Sequence, residues 1–217
     1  WYPGTREGDA TPAPDRLTAK FDTGFRAHNT NVFPQRPDRA YVGYIDGGAF
    51  VLDISNMSDI RVVSHWNHSP PFNGFIHTLL PLFDRDLWIV SDECVQDNGA
   101  DWPKLVWVID SRNEKNPVPI SSFQLEDMPD TPQPAMTGCH QPAERIINST
   151  EIPVAWFAHG LRVIDVAKPH APKEIAYFLP DVPPGCDRVQ SNDVTVDERG
   201  LIYLLDRVRG LHILERV

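Results

Sequence analysis

The sequence predicts an all-β protein of the β-propeller class, and two observations carry this prediction. Short runs rich in Val, Ile, Tyr, Phe and Trp alternate with turn residues about every eight to twelve positions, without a sustained helical period. A unit of roughly 50 residues, with an apolar strand that ends in Asp, recurs along the chain. Repeated four-stranded units of this length are typical of propeller blades.

The repeat is clearest between residues 40–66 and 155–178. Each segment contains an aromatic strand, an apolar strand ending in Asp, a polar turn and a third strand; residues 104–123 follow this order more loosely. A fourth, incomplete copy covers residues 191–215, where the turn "DERG" joins two strands. The repeated aspartates are Asp53, Asp110, Asp165 and Asp206. Their carboxylates are expected to accept hydrogen bonds from backbone N–H groups of the following turn, which is a structural role.

The repeat divides the chain into a leading segment and four blades or part-blades. Residues 1–27 form the Pro-rich leading segment, whose run "RLTAKFD" is a candidate for a missing outer strand. The predicted blades cover residues 28–75, 76–138, 139–190 and 191–217. The chain begins with Trp1 rather than Met, and the fourth copy stops after two strands. Because an open half-ring leaves sheet edges bare, we expect the C-terminal part of a larger ring of about seven or eight blades.

Composition and charge exclude several classes of protein. With 217 residues, 41% of them hydrophobic and 23% charged, the chain is typical of globular proteins. The net charge of -10 and the scattered Lys and Arg residues oppose a nucleic-acid partner. The apolar runs are far shorter than the roughly 20 residues that a membrane span requires, so no span is predicted.

The cysteines and the glycosylation triplets favour an extracellular compartment. Cys94, Cys139 and Cys186 form no CxxC pair, which excludes a zinc knuckle and leaves room for one disulfide, preferably Cys139–Cys186. Three N-x-S/T triplets and 21 prolines are compatible with secretion in an organism that glycosylates. The triplets begin at Asn56, Asn67 and Asn148. The sequence therefore predicts a secreted or periplasmic protein, with glycosylation and a disulfide as expected modifications.

Histidines recur at one phase of the repeat. The first strand of a propeller blade lines the central channel, so residues at this phase converge on one axis. His28, His77 and His140 begin the first three blades, and Asn192 takes this place in the fourth, at spacings of 49, 63 and 52 residues. Three neutral imidazoles suit Zn, Cu, Fe or Ni and leave a position for water or substrate. The alternative is that the histidines are packed for structural reasons.

Two carboxylates accompany the histidines as candidate catalytic groups. Glu93 ends the run "LWIVSDE" and would serve as a fourth ligand, as a partner that orients an imidazole, or as a general base. Its alternative is a solvated charge at a strand end. Asp193 follows Asn192 directly. A Cys139–His140 dyad is discounted because neighbours on one strand point to opposite faces.

Residues 154–180, "VAWFAHGLRVIDVAKPHAPKEIAYFLP", followed by residues 191–215 resemble the LVIVD-repeat family of secreted β-propeller proteins. Residues 76–93 look like a blade of the same family. The resemblance implies a chain about twice this length, of which this is the C-terminal half. That family is distantly similar to selenium-binding proteins with methanethiol oxidase activity, which are propellers that carry histidines and bind metal. This fold-level similarity transfers no catalytic residue.

The sequence thus predicts a secreted, metal-dependent enzyme that acts on a small organic substrate in the central channel. Oxidoreductase, lyase and hydrolase activities all stay open. The alternative function is a non-catalytic propeller that binds a protein or a glycan. The expected polypeptide partner is the N-terminal half of the same propeller or a second copy of the chain.

Overall fold

The computed structural model describes residues 26–96, 102–125 and 138–216. In these ranges the chain forms four successive antiparallel sheets and no helix. This four-blade arrangement confirms the predicted all-β propeller class. No described segment is a helix with the length and hydropathy that crossing a membrane demands. The proposed strand in "RLTAKFD" lies outside the described residues.

Sheets 1 and 2 are four-stranded meanders whose strands pair in chain order. Sheet 1 consists of β1 (Asn29–Phe33), β2 (Arg36–Gly43), β3 (Ala49–Asp53) and β4 (Arg61–Trp66). Sheet 2 consists of β5 (Ile76–Leu82), β6 (Leu87–Asp92), β7 (Val106–Asp110) and β8 (Val118–Phe123). Strands β5 and β6 are buried along their whole length, including the polar residues His77, Thr78, Ser91 and Asp92.

Sheets 3 and 4 follow the same order. Sheet 3 consists of β9 (Gln141–Pro142), β10 (Glu151–Ala155), β11 (Leu161–Asp165) and β12 (Lys173–Phe178). Sheet 4 consists of β13 (Ser191–Val196), β14 (Ile202–Asp206) and β15 (Gly210–Leu214). The expectation that this copy has two strands is wrong. A third strand, β15, follows the turn before Gly210 and pairs with β14.

The chain divides into two compact units. Unit 1 comprises Trp1–Val90 and Ile109–Pro119, and unit 2 comprises Ser91–Val108 and Ile120–Val217. In unit 1, Ala40, Val42 and Phe50 form a buried cluster on one face of sheet 1. In unit 2, the facing sides of sheets 3 and 4 form a core. Its buried members are Ala143, Ala155, Leu161, Val163, Val194, Val196, Ile202 and Leu204.

One turn recurs in both units and attaches a sheet to the strand that follows it. In unit 1, residues 44–48 connect β2 to β3, and Ile45 exchanges two backbone hydrogen bonds of 3.1 and 3.0 Å with Ile76 at the start of β5. In unit 2, residues 156–160 connect β10 to β11, and Phe157 exchanges bonds of 3.0 and 2.9 Å with Ser191 at the start of β13. The turn therefore fixes the first residues of the next sheet, where His77 and Asn192 lie.

The repeated aspartates cap the turns, as predicted. Each carboxylate accepts a hydrogen bond of 2.8–3.0 Å from the backbone N–H two residues later. The pairs are Asp53–Ser55, Asp110–Arg112, Asp165–Ala167 and Asp206–Val208. The Asp repeat thus marks a turn and contributes no catalytic group.

The preferred Cys139–Cys186 disulfide is wrong. Neither sulfur forms a disulfide in the described residues; Cys139 is completely buried whereas Cys186 is exposed. The Cys139 thiol donates a hydrogen bond of 2.8 Å to the backbone carbonyl of Asp92. Residue spacing alone cannot reveal that two cysteines differ so much in burial.

Candidate metal centre

Two of the predicted histidine ligands meet in unit 1. His77 is the second residue of β5 and is buried, while His28 precedes β1 and is exposed. Their ring centroids are 4.3 Å apart, and each ring offers a nitrogen within 4.8 Å of the other. The shared phase in the repeat therefore predicted a real contact between these two side chains.

A buried hydroxyl holds the His77 ring. The Thr78 Oγ1 atom is hydrogen-bonded to His77 Nδ1 at 2.6 Å and accepts a bond of 2.9 Å from Asn29 Nδ2. Metal-binding imidazoles usually have their second ring nitrogen held in this way. The arrangement assigns Nδ1 to orientation and makes Nε2 the ring nitrogen suited to bind an ion. Sequence reasoning missed Thr78 and Asn29, whose positions next to the two histidines were the available signal.

Gly43 allows the two histidines to meet. It ends β2, and its carbonyl oxygen accepts a hydrogen bond of 2.9 Å from the backbone N–H of His28. A Cβ atom placed on Gly43 would collide with the backbone carbonyl of His77. Glycine therefore lets the backbone of β5 approach β2 closely enough to place His77 beside His28.

His140, the third predicted ligand, lies in unit 2 and has a defined tautomer. Its Nδ1 donates a hydrogen bond to the backbone carbonyl of Asn192, and its ring stacks on Phe157 at 4.7 Å. Because a carbonyl oxygen only accepts hydrogen bonds, Nδ1 carries the proton. In the neutral ring, Nε2 is therefore the nitrogen that carries the lone pair.

Glu93 faces that lone pair. Its Oε1 lies 3.4 Å from His140 Nε2, and each side chain is only 8% exposed. A lone pair and a carboxylate repel each other when nothing positive lies between them, so the pair demands a proton or a metal cation. Nitrogen and oxygen ligands bound about 2.1 Å from a tetrahedral ion are about 3.4 Å apart. The observed separation therefore fits a bridging cation, and it also fits an ion pair with protonated His140.

The buried thiol next to His140 is unsuited to nucleophilic chemistry. Burial, followed by the nearby Asp92 charge, raises the pKa of Cys139 well above its usual value. The thiol stays protonated and donates to the Asp92 carbonyl. This environment is a second reason, besides the strand geometry, to discount a Cys139–His140 dyad.

Asp193 and Asn192 have local partners. The Asp193 carboxylate accepts a bond of 2.7 Å from the Val194 N–H, while partial removal from water raises its pKa. The Asn192 side chain accepts a bond of 2.7 Å from Arg207 Nε, so its contribution to His140 is its main-chain carbonyl. The sequence placed Asn192 at the right position but did not reveal that its main-chain carbonyl, rather than its side chain, contacts His140.

Comparisons with known proteins identify the class of fold. No family model and no curated protein sequence matches the chain. A solved protein from Lactobacillus plantarum matches with a TM-score of 0.54 and 13% identity, over 88% of this chain and 57% of that chain. The β-propeller domain of Myceliophteria thermophila Cps50 (Swd1) matches with a TM-score of 0.50 and 13% identity, over 87% and 59%.

U3-55K matches with a TM-score of 0.50 and 8% identity, over 89% of this chain and 53% of that chain. This chain therefore spans between 53% and 59% of the length of these three structures. At such low identity the likeness shows the fold alone. The protein is a β-propeller built from repeated blades. Any catalytic or binding function must be inferred from its own residues.

Proposed function

We propose that this β-propeller is a metal-dependent enzyme whose ion is held by His28, His77 and His140, with Glu93 as an additional carboxylate. The observation that carries the proposal is the 3.4 Å approach of Glu93 Oε1 to Nε2 of His140, two side chains that are each only 8% exposed. The contact of His28 with His77 and the orientation of His77 by Thr78 support it. In propellers, the first strands of successive blades line one channel, which is where these residues would combine.

The donor set determines which ions and which chemistry fit. Imidazole nitrogens with one carboxylate suit Zn, Cu, Fe or Ni. Such an ion supplies Lewis acidity, polarising a carbonyl or a water molecule. The substrate is a small organic molecule, and oxidation–reduction, elimination and hydrolysis are all compatible with the set. Asp193 is the proposed second carboxylate, since its raised pKa suits it to exchange a proton.

The proposal includes two further points: that the protein is secreted, and that it is a member of the LVIVD-repeat family. Support for the family comes from residues 154–180 and 191–215. The glycosylation triplets have a second explanation, because each asparagine side chain accepts a bond of 3.0 Å from the N–H two residues later. These asparagines are Asn56, Asn67 and Asn148. Exposed Asn56 and Asn148 are the better acceptors for a glycan.

A cavity in unit 1 favours the second candidate function, glycan binding without catalysis. The cavity of about 280 Å³ is lined by Arg36, Tyr41, Asp86 and Glu114 among others. The Tyr41 side chain is 2% exposed, and its hydroxyl has no hydrogen-bond partner among the described residues. Arg36 is neutralised by Asp38 at 3.1 Å and lies 3.6 Å from Glu114, so the cavity suits an uncharged, hydroxylated ring.

Metal analysis separates the two functions. Protein supplied in turn with Zn, Cu, Fe and Ni, dialysed and analysed for metal, should retain about one equivalent per chain. His140→Ala and Glu93→Gln should lose most of it, whereas exposed His170, changed to Ala, is the matched control that should keep it. Circular dichroism verifies that each variant is folded.

Folded wild-type protein that retains none of the four metals overturns the proposal. In that case His140 and Glu93 form a proton-mediated ion pair, and both substitutions reduce stability alone. Isothermal titration of a monosaccharide set against wild type and Tyr41→Phe then tests the second function.

A further inference from the structure

A cavity of about 120 Å³ in unit 2 borders the core that sheets 3 and 4 share. Three of the residues that line it, Val163, Val196 and Ile202, are members of that core and are at most 8% exposed. The buried Pro153 of β10 also lines the cavity. The floor of the cavity is therefore apolar, and it is formed by strands of both sheets.

The cavity has room for a small apolar group. Gly200, in the turn between β13 and β14, lines it, and a Cβ atom added there would meet no heavy atom within 4 Å. Since an apolar cavity of about 150 Å³ holds one benzene molecule, this one suits a group of about four to six carbon atoms. Atoms that line an unfilled space lack dispersion partners, so a group of this size adds contacts that the floor does not make by itself.

Charged side chains form the rim of the cavity. The lining includes two cations, Arg145 and Arg216, and one anion, Glu151, in a chain whose net charge is -10. Arg145 Nη2 donates a hydrogen bond of 2.8 Å to Glu198 Oε1, and Arg216 Nη1 donates to Glu151 Oε2. A guanidinium group has five N–H donors. The other donors of both arginines bond to no other residue that the structure describes.

The rim is suited to an anionic ligand group. The Arg145 side chain is 49% exposed and that of Arg216 is 46% exposed. Because exposed ion pairs contribute little to stability, a ligand carboxylate is able to share these guanidinium groups with their glutamates. Asn148 also lines the cavity, and since its Oδ1 accepts bonds from Thr150, its Nδ2 supplies a further donor.

We propose that this cavity binds a small ionised carboxylic acid whose apolar part is a branched alkyl chain or a single ring. The apolar part packs on Val163, Val196 and Ile202, while the carboxylate accepts hydrogen bonds from Arg145 and Arg216. None of these residues belongs to the proposed metal ligands, so the two sites are tested independently.

Isothermal titration of metal-free protein measures the binding, because no bound ion is then present to hold a carboxylate. Three probes separate the two parts of the ligand. Isovalerate has both parts, isoamyl alcohol lacks the charge, and acetate lacks the apolar part. We expect saturable binding of isovalerate with a dissociation constant of about 1 mM or lower, and binding of the other two that is about tenfold weaker or more.

Two arginine variants test the rim. Arg145→Gln/Arg216→Gln should weaken isovalerate binding by about tenfold or more and leave the affinity for isoamyl alcohol unchanged. The control Arg61→Gln/Arg112→Gln removes two exposed, ion-paired arginines that do not line the cavity. The control removes the same charge from the chain and should bind isovalerate as wild type does.

A single substitution tests the position of the site. Ile147 lines the cavity and is 48% exposed, so Ile147→Asp should leave the fold intact and repel the carboxylate. Val182, which is 49% exposed and does not line the cavity, provides the control Val182→Asp. Circular dichroism verifies that each variant is folded. The proposal is wrong if wild type shows no saturable binding of isovalerate or binds the acid and the alcohol equally. It is also wrong if a variant and its control lose the same affinity.

Discussion

Units 1 and 2 place histidines on equivalent backbone frames but with different room between the strands. The backbone N–H of His28 donates to Gly43, and that of His140 donates to Ala155, so Gly43 and Ala155 hold the same place. At Gly43 a side chain would collide with the His77 carbonyl, whereas Ala155 fits as a fully buried residue. The methyl group of Ala155 thus has room in unit 2, whereas at Gly43 in unit 1 the following strand lies too close for a methyl group.

This difference determines how each histidine is held. In unit 1 the close approach places His77 beside His28, and a side-chain hydroxyl, Thr78, contacts His77 Nδ1. In unit 2 His140 reaches the main-chain carbonyl of Asn192, which accepts only. A hydroxyl permits either direction of hydrogen bonding, but a carbonyl fixes one. The comparison teaches that one backbone frame can leave a histidine's tautomer open in one unit and determine it in the other.

The largest predicted effect comes from giving unit 1 the residue of unit 2. Gly43→Ala should lower the free energy of unfolding by about 2–4 kcal/mol, because the new methyl meets backbone that cannot rotate away. The reciprocal change Ala155→Gly should cost only about 1 kcal/mol, from backbone entropy and a lost methyl. Urea unfolding of the two variants measures both values. Equal losses would show that the strand separation adapts to the side chain.

Much of the fold was predictable because its signal is periodic. The Asp that caps each turn recurs at Asp53, Asp110 and Asp165, with spacings of 57 and 55 residues. Each cap needs a carboxylate two residues before a backbone N–H, a local requirement that sequence records directly. The apolar strands between these caps gave the all-β class for the same reason.

The candidate site was predictable in position but not in its partners. The repeat placed His28 and His140 at equivalent points, where the backbone N–H of each donates to the last residue of the neighbouring strand. The Asn192 carbonyl that holds His140 is invisible in sequence, since every residue has a carbonyl. The Cys139–Cys186 pairing failed because burial depends on the packing of distant segments.

A second difference between the units is expected to depend on pH. The fourth residue after β2 is Gly47, and the fourth after β10 is His159; the backbone N–H of each donates to the carbonyl of the residue three positions earlier. Burial, and then the charge of Arg162, lowers the pKa of His159 to about 4. Its Nδ1 is buried without a hydrogen-bond partner in the described part of the chain.

The unfolded chain therefore binds more protons than the folded one between pH 6.5 and about 4. Stability should fall as pH falls through this window, with His159 accounting for roughly 1–3 kcal/mol of the loss. Urea unfolding of wild type and His159→Gln at intervals from pH 7 to pH 4 isolates this contribution. Parallel curves for the two proteins would show that His159 is protonated alike in both states.

The smallest expected effects distinguish the turn caps of the two units. Asp53 in unit 1 accepts bonds from the Ser55 N–H at 3.0 Å and the Ser55 hydroxyl at 2.6 Å, and lies 3.4 Å from Arg39 Nη1. Asp165 in unit 2 accepts one bond of 2.8 Å from the Ala167 N–H and lies 3.8 Å from Lys173. Removing the Asp53 carboxylate should therefore reduce stability more than removing the Asp165 carboxylate.

We expect Asp165→Ala to cost about 0.5–1 kcal/mol, the typical value of one hydrogen bond at an exposed site, and Asp53→Ala to cost more. The isosteric changes Asp53→Asn and Asp165→Asn retain an acceptor oxygen and should recover most of each loss, except the part of Asp53 that depends on the Arg39 charge. Thermal unfolding at several salt concentrations separates these contributions, because screening reduces only the charged one. A larger loss for Asp165→Ala than for Asp53→Ala would mean that the single backbone bond, rather than the number of partners, sets the strength of a cap.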